Sequence, residues 1–480
     1  MNSPSKVVVL ELNEITWDLM DILLQKGMLP NFQALMKTGA SGAPWASEKP
    51  EHLDPWVTWT TLYTGVPQEE HRLSMLEQDR QTLGAKRLWE YLMEAGLGIG
   101  LFGSANSWPP QTVDGFWIPG PFARDFSTYP GSIEAIQALN VGLTRGHTAG
   151  LAKPRLSSLV PKLVRLGLTP LTLLRLVKAM VAIRLHPTLR WKLIALQPIV
   201  NLDLFTYLYK RCRPDFATLH SNHVAYYQHR FWRAMAPEKF ELPPSQEEQA
   251  IYGGAIEHGY RIADEILGRL RRLCSPDTTL VVLSSCGQQP AVGGRYTVDQ
   301  AHGNMGLQIR IEFLLQKLGI ADQVQYSNLM APQWKIDIKD PILLQRTVTQ
   351  LNQSRNVTRQ SPCFDAALTG NSICLGARRE QKMTDKIELI TCAGPQQFLA
   401  SELLDSHAEV VKSGRHHPKG VLLIHGTAIR ENIRIDQCDN LDIAPTLLRL
   451  LNQPIPSCMR GRVLEEALFT KKIEMSATAR

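Results

Sequence analysis

Several apolar runs in this 480-residue chain end in side chains capable of chemistry. The first is Val7-Val8-Val9-Leu10, which passes into Glu11-Leu12-Asn13-Glu14. Four consecutive apolar residues, three of them β-branched, suit a strand covered on both faces, and Thr16 with Asp18 suits the start of a helix just after it. In an α/β sheet ligands gather beyond the carboxyl ends of the strands, which places Glu11, Asn13 and Glu14 where reactions are run. The plain alternative is that they cap the next helix. A second run, Thr278 to Leu283, ends at Ser284-Ser285-Cys286-Gly287. Ser285 stands where a nucleophile or a substrate contact could sit, or it satisfies the turn; Cys286 is a soft ligand or nucleophile, or an inert buried thiol. After a third run, Phe216 to Leu219, Asn222 and His223 either orient a ligand or hold the loop before His229. Asp54 and Glu14 could act as general acid and base if they face each other across a cleft; taken singly, such carboxylates cap helices or form ion pairs.

The elements needed to position these groups follow an α/β rhythm. Trp17 to Lys26 reads as a helix ended by Gly27, and Asn31 to Lys37 as a second that stops at Gly39. Trp56 to Gly65 is dense in aromatic and β-branched residues and reads as either strand or buried helix. Lys86 to Gly96 reads as a helix and Gly98 to Gly103 as a strand. From Asp215 the pattern resumes, with Gln246 to Cys274 read as one long helix, Gly420 to Ile424 as a strand and Leu441 to Leu451 as a late helix. This order indicates a mostly parallel sheet.

Composition narrows the class. The apolar share of 44% and charged share of 20% are those of a folded chain. No stretch resembles a membrane span or secretory signal, which sets a cytoplasmic expectation with a peripheral place at the inner face of the membrane. Eight dispersed cysteines without a C-x-x-C pair fit reduced thiols. The net charge of +7 is unevenly placed: between Glu134 and Asp203 there are ten Lys and Arg, from Arg145 to Lys192, and no acidic residue. That segment spaces Leu, Val and Ile at helical intervals over Leu156 to Leu168 and Leu171 to Leu185, with Lys and Arg on the opposite side. It reads as a cap over a site for an anionic substrate, as a helix pair on an anionic membrane surface through 145–192, or as an insertion packed on the main domain with solvated basic edges. No nucleic-acid partner is expected, and the oligomeric state is open.

In order, the landmarks resemble the alkaline phosphatase superfamily, in particular its type I phosphodiesterase and nucleotide pyrophosphatase branch. Asn13-Glu14, Trp17-Asp18 and Leu29-Pro30-Asn31 stand at the family's Asp-Gly, Trp-Asp and Leu-Pro-Asn. Trp59 to Pro67 with His71 resembles the segment after the nucleophile. Ala225 to His229 with Phe231-Trp232, Ser284 to Gly287, His416 with Gly420, Asp442 to Leu448, and Gly461 to Leu464 complete the set. The resemblance implies an alkaline-phosphatase-like α/β sandwich with a central, mainly parallel sheet, helices on both faces and a basic helical insertion. It divides the chain into core at 1–140, insertion at 141–212, core at 213–327, a small α+β excursion at 328–395, core at 396–470 and a tail at 471–480.

What the resemblance implies for chemistry is two metal ions, usually zinc, flanking a Thr or Ser that attacks phosphorus. At those seven positions this chain carries Asn13, Pro55, Ala225, His229, Ser285, Cys286 and His416, so only two histidines remain. The two-metal site therefore reads as lost. The expectation is one zinc on His229 and His416 with Cys286 as third ligand, or two histidines hydrogen-bonded in a polar cleft. Asn13, Glu14 and Asp54 are the expected catalytic groups, and Asn222, His223 and Ser285 the substrate contacts. Expected activity is hydrolysis or transfer of a phosphate or related ester, on a glycan or lipid-linked substrate and in keeping with polysaccharide biosynthesis. The alternative is a pseudoenzyme that binds an anionic glycan or a partner protein.

Overall fold

The computed structural model describes residues 6–469, leaving aside 50–52, 74–82, 121, 124, 146–155, 242, 293–304, 329–332, 370, 379–381 and 409–412. Lys153 and Arg155 of the basic segment and the tail at 471–480 lie outside the described residues. The chain divides into two compact units, one of residues 1–292 with 412–480 and a smaller one of 293–411.

The larger unit is organised on an eight-stranded sheet. Its strands are β1 (Lys6–Leu12), β2 (Ala40–Gly42), β3 (Ile99–Phe102), β4 (Gly115–Ile118), β5 (Phe216–Ser221) and β6 (Thr278–Ser284); β7 (Gly287–Pro290) and β8 (Gly414–His417) form a separate ribbon, and β9 (Val421–His425) and β10 (Ile433–Ile435) complete the sheet. The order is β10-β2-β9-β6-β1-β5-β3-β4, with β9 antiparallel to both neighbours and every other pairing parallel. β1 is central because its residues are apolar on both faces. Val7 and Val9 join a core with Trp59, Tyr63 and Trp89 on one side, while Val8, Leu10 and Leu12 are equally buried.

Around the sheet lie α1 (Trp17–Gln25), α2 (Pro30–Lys37), α3 (Pro55–Thr64), α4 (Leu88–Glu94), α5 (Glu134–Arg145), α6 (Leu156–Arg165), α7 (Pro170–Leu185), α8 (Leu196–Cys212), α9 (His223–Met235), α10 (Ala255–Leu273) and α11 (Ile443–Leu450). The ambiguous run at Trp56 to Gly65 is a helix: Pro55 fixes its first turn, Gly65 ends it at φ 66°, and every residue but Trp56 is buried. Because threonines are spread among its aromatic and aliphatic residues, no helical period was visible in it. The long helix expected over Gln246 to Cys274 is broken. Gln246–Tyr252 and Ala255–Leu273 are separate helices, divided at Gly253-Gly254, where two consecutive glycines oppose helix continuation.

β7 and β8 pair antiparallel in a register that sets His416 opposite Gln288, at the points where the chain leaves for the smaller unit and returns from it. That smaller unit is α+β. One four-stranded antiparallel sheet runs in the order Phe364–Thr369, Ser372–Ala377, Gln333–Asp337, Gln325–Asn328, and a second includes Lys386–Thr391 and Gly394–Leu399. It begins before 328 and ends after 395, because Leu314 and Leu318 at one end and Leu403 and Leu404 at the other bury in the same core.

Candidate functional site

The site begins where β1 stops. Asn13 N donates to Ser221 O at 3.0 Å, tying the rim of β1 to that of β5, and Glu14 then takes φ 61°. A left-handed backbone costs a residue with a Cβ about 1–3 kcal/mol, and such conformations persist where the surroundings enforce them. Here Gln228 Nε2 donates to the Glu14 carbonyl at 2.6 Å, and Tyr260 OH, donating to Gln228 Oε1 at 2.9 Å, holds that amide in place.

The Glu14 carboxylate is nearly enclosed and surrounded by donors. Oε1 accepts from Asn13 Nδ2 at 3.0 Å; Oε2 lies 3.0 Å from His229 Nε2 and 3.5 Å from His416 Nε2, and accepts from Gln288 Nε2. Burial alone would raise its pKa, but the neighbouring His229 and His416, with the Gln288 amide, hold it down at about 2. It is a carboxylate throughout the ordinary pH range.

Both imidazoles are oriented from behind. His229, on α9, sets Nδ1 at 3.2 Å from the Gly414 carbonyl, and His416, on β8, sets Nδ1 at 3.4 Å from Asp54 Oδ1. The ring centroids are 5.2 Å apart. An acceptor at each Nδ1 places the proton of the neutral ring there, so both Nε2 lone pairs turn toward the same carboxylate oxygen. Two lone pairs and an anion cannot share that space without a cation among them, either a proton on a ring or a metal ion. His416 Nε2 is buried and has no hydrogen-bond partner among the described residues.

The donor set fits a metal ion. The ligand atoms of Glu14, His229 and His416 lie within 4.8 Å of one another. A tetrahedral ion with bonds of about 2.0–2.1 Å separates its ligands by roughly 3.3 Å, and the observed 3.0 and 3.5 Å bracket that edge. A carbonyl and a carboxylate behind the two rings are the usual outer partners of metal-bound histidine. One carboxylate and two neutral imidazoles balance one divalent ion rather than two. Cys286 is outside this group: burial, with Glu14 adding to it, pushes its thiol well above the ordinary range, which keeps it protonated and a poor ligand. Glu14 supplies the third donor instead.

Other expected residues divide. Asp54 precedes α3 yet makes no capping bond to it; its carboxylate faces His416, so Asp54 and Glu14 meet through that imidazole rather than directly across a cleft. Asn13 has every polar side-chain atom engaged, accepting from Trp59 Nε1 at 2.9 Å and donating to Glu14 and to Asn222 Oδ1 at 2.7 Å. It positions Glu14 and holds no proton to exchange. Asn222 is exposed, and its side-chain NH2 has no partner among the described residues. His223 is interior: Nδ1 meets Ser221 Oγ and Nε2 the Gly259 carbonyl, and burial pushes its pKa down to about 4. A neutral ring with both nitrogens occupied ties α9 to α10 and has nothing to offer a substrate. Ser285 is fully buried, paired with Thr58 Oγ1 at 2.7 Å, and so is not presented to a ligand.

Sequence reasoning missed the bracing role of Gln288, Gln228, Tyr260 and Trp59; Gln228 and Trp59 fall inside landmark segments without a role of their own there, and Gln288 and Tyr260 fall in none. Glu11, noted at the same strand end, instead turns under α3, where Tyr63 OH, Ser104 Oγ and His220 Nδ1 surround its buried carboxylate.

No curated protein matches this sequence. A family model does, over residues 7–319, a stretch that begins at β1 and takes in Glu14, Asp54 and His229. Its architecture agrees with the eight-stranded, mostly parallel sheet and the helices around it. By that match the chain belongs to the type I phosphodiesterase / nucleotide pyrophosphatase family of the alkaline phosphatase superfamily.

Proposed function

We propose that the protein hydrolyses a phosphate ester of the phosphodiester type, on a glycan or lipid-linked substrate, at an altered site built for a single zinc ion. The observation that carries this reading is the convergence of two back-braced Nε2 atoms on the ionised Glu14 carboxylate. Glu14, His229 and His416 would hold the ion, which when bound supplies Lewis-acid polarisation of a phosphoryl oxygen.

The residues of the chain itself define the rest. Pro55, at the first position of α3, offers no hydroxyl for attack on phosphorus, and the hydroxyl one turn later, Thr58, is fully buried against Ser285. Water is therefore the attacking group, in one displacement without a covalent intermediate. Asp54, about one-third exposed and in contact with His416 Nδ1, takes the proton of that water as the new P–O bond forms and returns it to the leaving alkoxide as the ester bond breaks. Asn222 offers its open amide to a phosphate or sugar oxygen, and the exposed face of Trp45 beside His417 suits a sugar ring.

The test is metal analysis together with turnover. About one equivalent of zinc, lost in His229→Ala and His416→Ala, with hydrolysis of bis(p-nitrophenyl) phosphate and inversion at phosphorus of a chiral phosphorothioate diester, is the expected result. The same Pro55 and Asn13 that displace the family's nucleophile and carboxylate favour a second reading, a pseudoenzyme that binds an anionic glycan or a partner protein. Zinc-loaded protein that turns over neither phosphodiesters nor phosphomonoesters would establish it in place of the first.

A further inference from the structure

α7 breaks the rule by which apolar side chains go inward. Apolar residues occur on every side of its sixteen, interrupted by Thr172, Arg175, Lys178 and Arg184, and the outward side is not covered. Leu171 is 77% exposed, Leu185 69% and Val177 59%, with Leu174, Met180 and Val181 also exposed. Leu171, Leu174, Lys178, Val181 and Leu185 recur at three and four residues, which is one stripe along about 21 Å of helix at 1.5 Å per residue. On α6, Val160 and Val164 are exposed in the same way beside Lys162 and Arg165.

The helix is fixed to the protein on its other side. Thr169 caps it by accepting from Thr172 N, and Asp203 holds that cap through the Thr169 backbone N–H at 3.0 Å and hydroxyl at 2.7 Å. Arg269 pairs with the same Asp203, and Arg175 reaches Glu265 at 2.7 Å. The stripe is thus a rigid platform rather than a frayed end.

We propose that this face of α6 and α7 docks on an anionic lipid bilayer, lying in the headgroup region. Apolar stripes of this size on monomeric proteins mark contact surfaces, and the charges beside this one choose the partner. Lys178 lies within the stripe, Arg184, Lys162 and Arg165 lie at its sides, and no acidic residue occurs between Glu134 and Asp203. A second copy of the chain would set the same cations against themselves. No described helix is long and apolar enough to cross a membrane, so the contact is interfacial. This inference is independent of the metal site.

The test is co-sedimentation of the whole protein with vesicles of phosphatidylcholine alone or with 30% phosphatidylglycerol. Binding is expected to the anionic vesicles only and to weaken as salt rises. Lys178→Gln with Arg184→Gln is expected to lower the partition coefficient about twenty-five-fold, at roughly fivefold per cation removed. Leu171→Ser with Leu174→Ser and Leu185→Ser, all exposed and so neutral to folding, is expected to abolish binding while leaving the thermal melt unchanged. Equal binding to neutral and anionic vesicles, no binding to either, or binding untouched by the serine variant would overturn the proposal. So would concentration-dependent dimerisation lost in the serine variant, which would assign the face to a second copy.

Discussion

Replacing Glu14 by Gln should change how stability depends on pH, and the size of the change follows from the site. The carboxylate titrates at about 2 in the folded protein against 4.5 in a solvated one. A depressed carboxyl pKa contributes stability that is fully present above the unfolded value and is lost as pH falls toward the folded one, here between about 4.5 and 2. Taken to pH 3, the linkage amounts to roughly 2 kcal/mol lost relative to pH 6 through this group alone. Gln keeps the shape and cannot titrate, so the variant should lose about 2 kcal/mol less between those two pH values. Urea unfolding followed by tryptophan fluorescence, in the presence of a chelator, reads the right part of the molecule: nine of the ten tryptophans belong to the larger unit. Wild type and variant falling in parallel from pH 6 to pH 3 would refute the placement of an ionised Glu14 between the two histidines.

Asp54→Asn, which leaves α3 without loss of a cap, should weaken zinc binding by about 10- to 100-fold in a competition titration, since it removes the charge behind His416 and leaves the three donors in place. Thr58→Val should lower stability by about 1–3 kcal/mol, because it leaves the Ser285 hydroxyl buried and unpaired, yet should not reduce turnover per folded molecule. Cys286 should resist thiol reagents in the native protein while the exposed Cys392 and Cys458 react, and Cys286→Ala should retain its metal.

Much of this site was legible as residues and little of it as roles. Four successive apolar residues marked β1 and with it the place of Glu14 at a strand end, while His229 and His416 were singled out by the family resemblance. That Glu14 rather than Cys286 completes the donor set depends on a left-handed backbone at Glu14, which residue types do not announce. The Gln288 brace depends on ladder register between segments more than a hundred residues apart. His223 and Ser285 looked like substrate contacts because sequence order cannot separate a rim from the layer just beneath it. The cover over α3 and the bare face of α7 were harder to read: four threonines among the aromatic residues of α3 and three cations among the leucines of α7 blur the stripe that says which side faces in. For α3 both sides are covered, and for α7 one is bare.

The ribbon of Gly287–Pro290 against Gly414–His417 has a consequence for synthesis. A nascent chain emerging from the ribosome can complete β1, β5 and β6 and already present Glu14 and His229, but His416 is still well over a hundred residues away. On the one-ion reading the group of three donors closes only after the whole smaller unit has been translated, so incomplete chains would offer two of the three and hold zinc weakly.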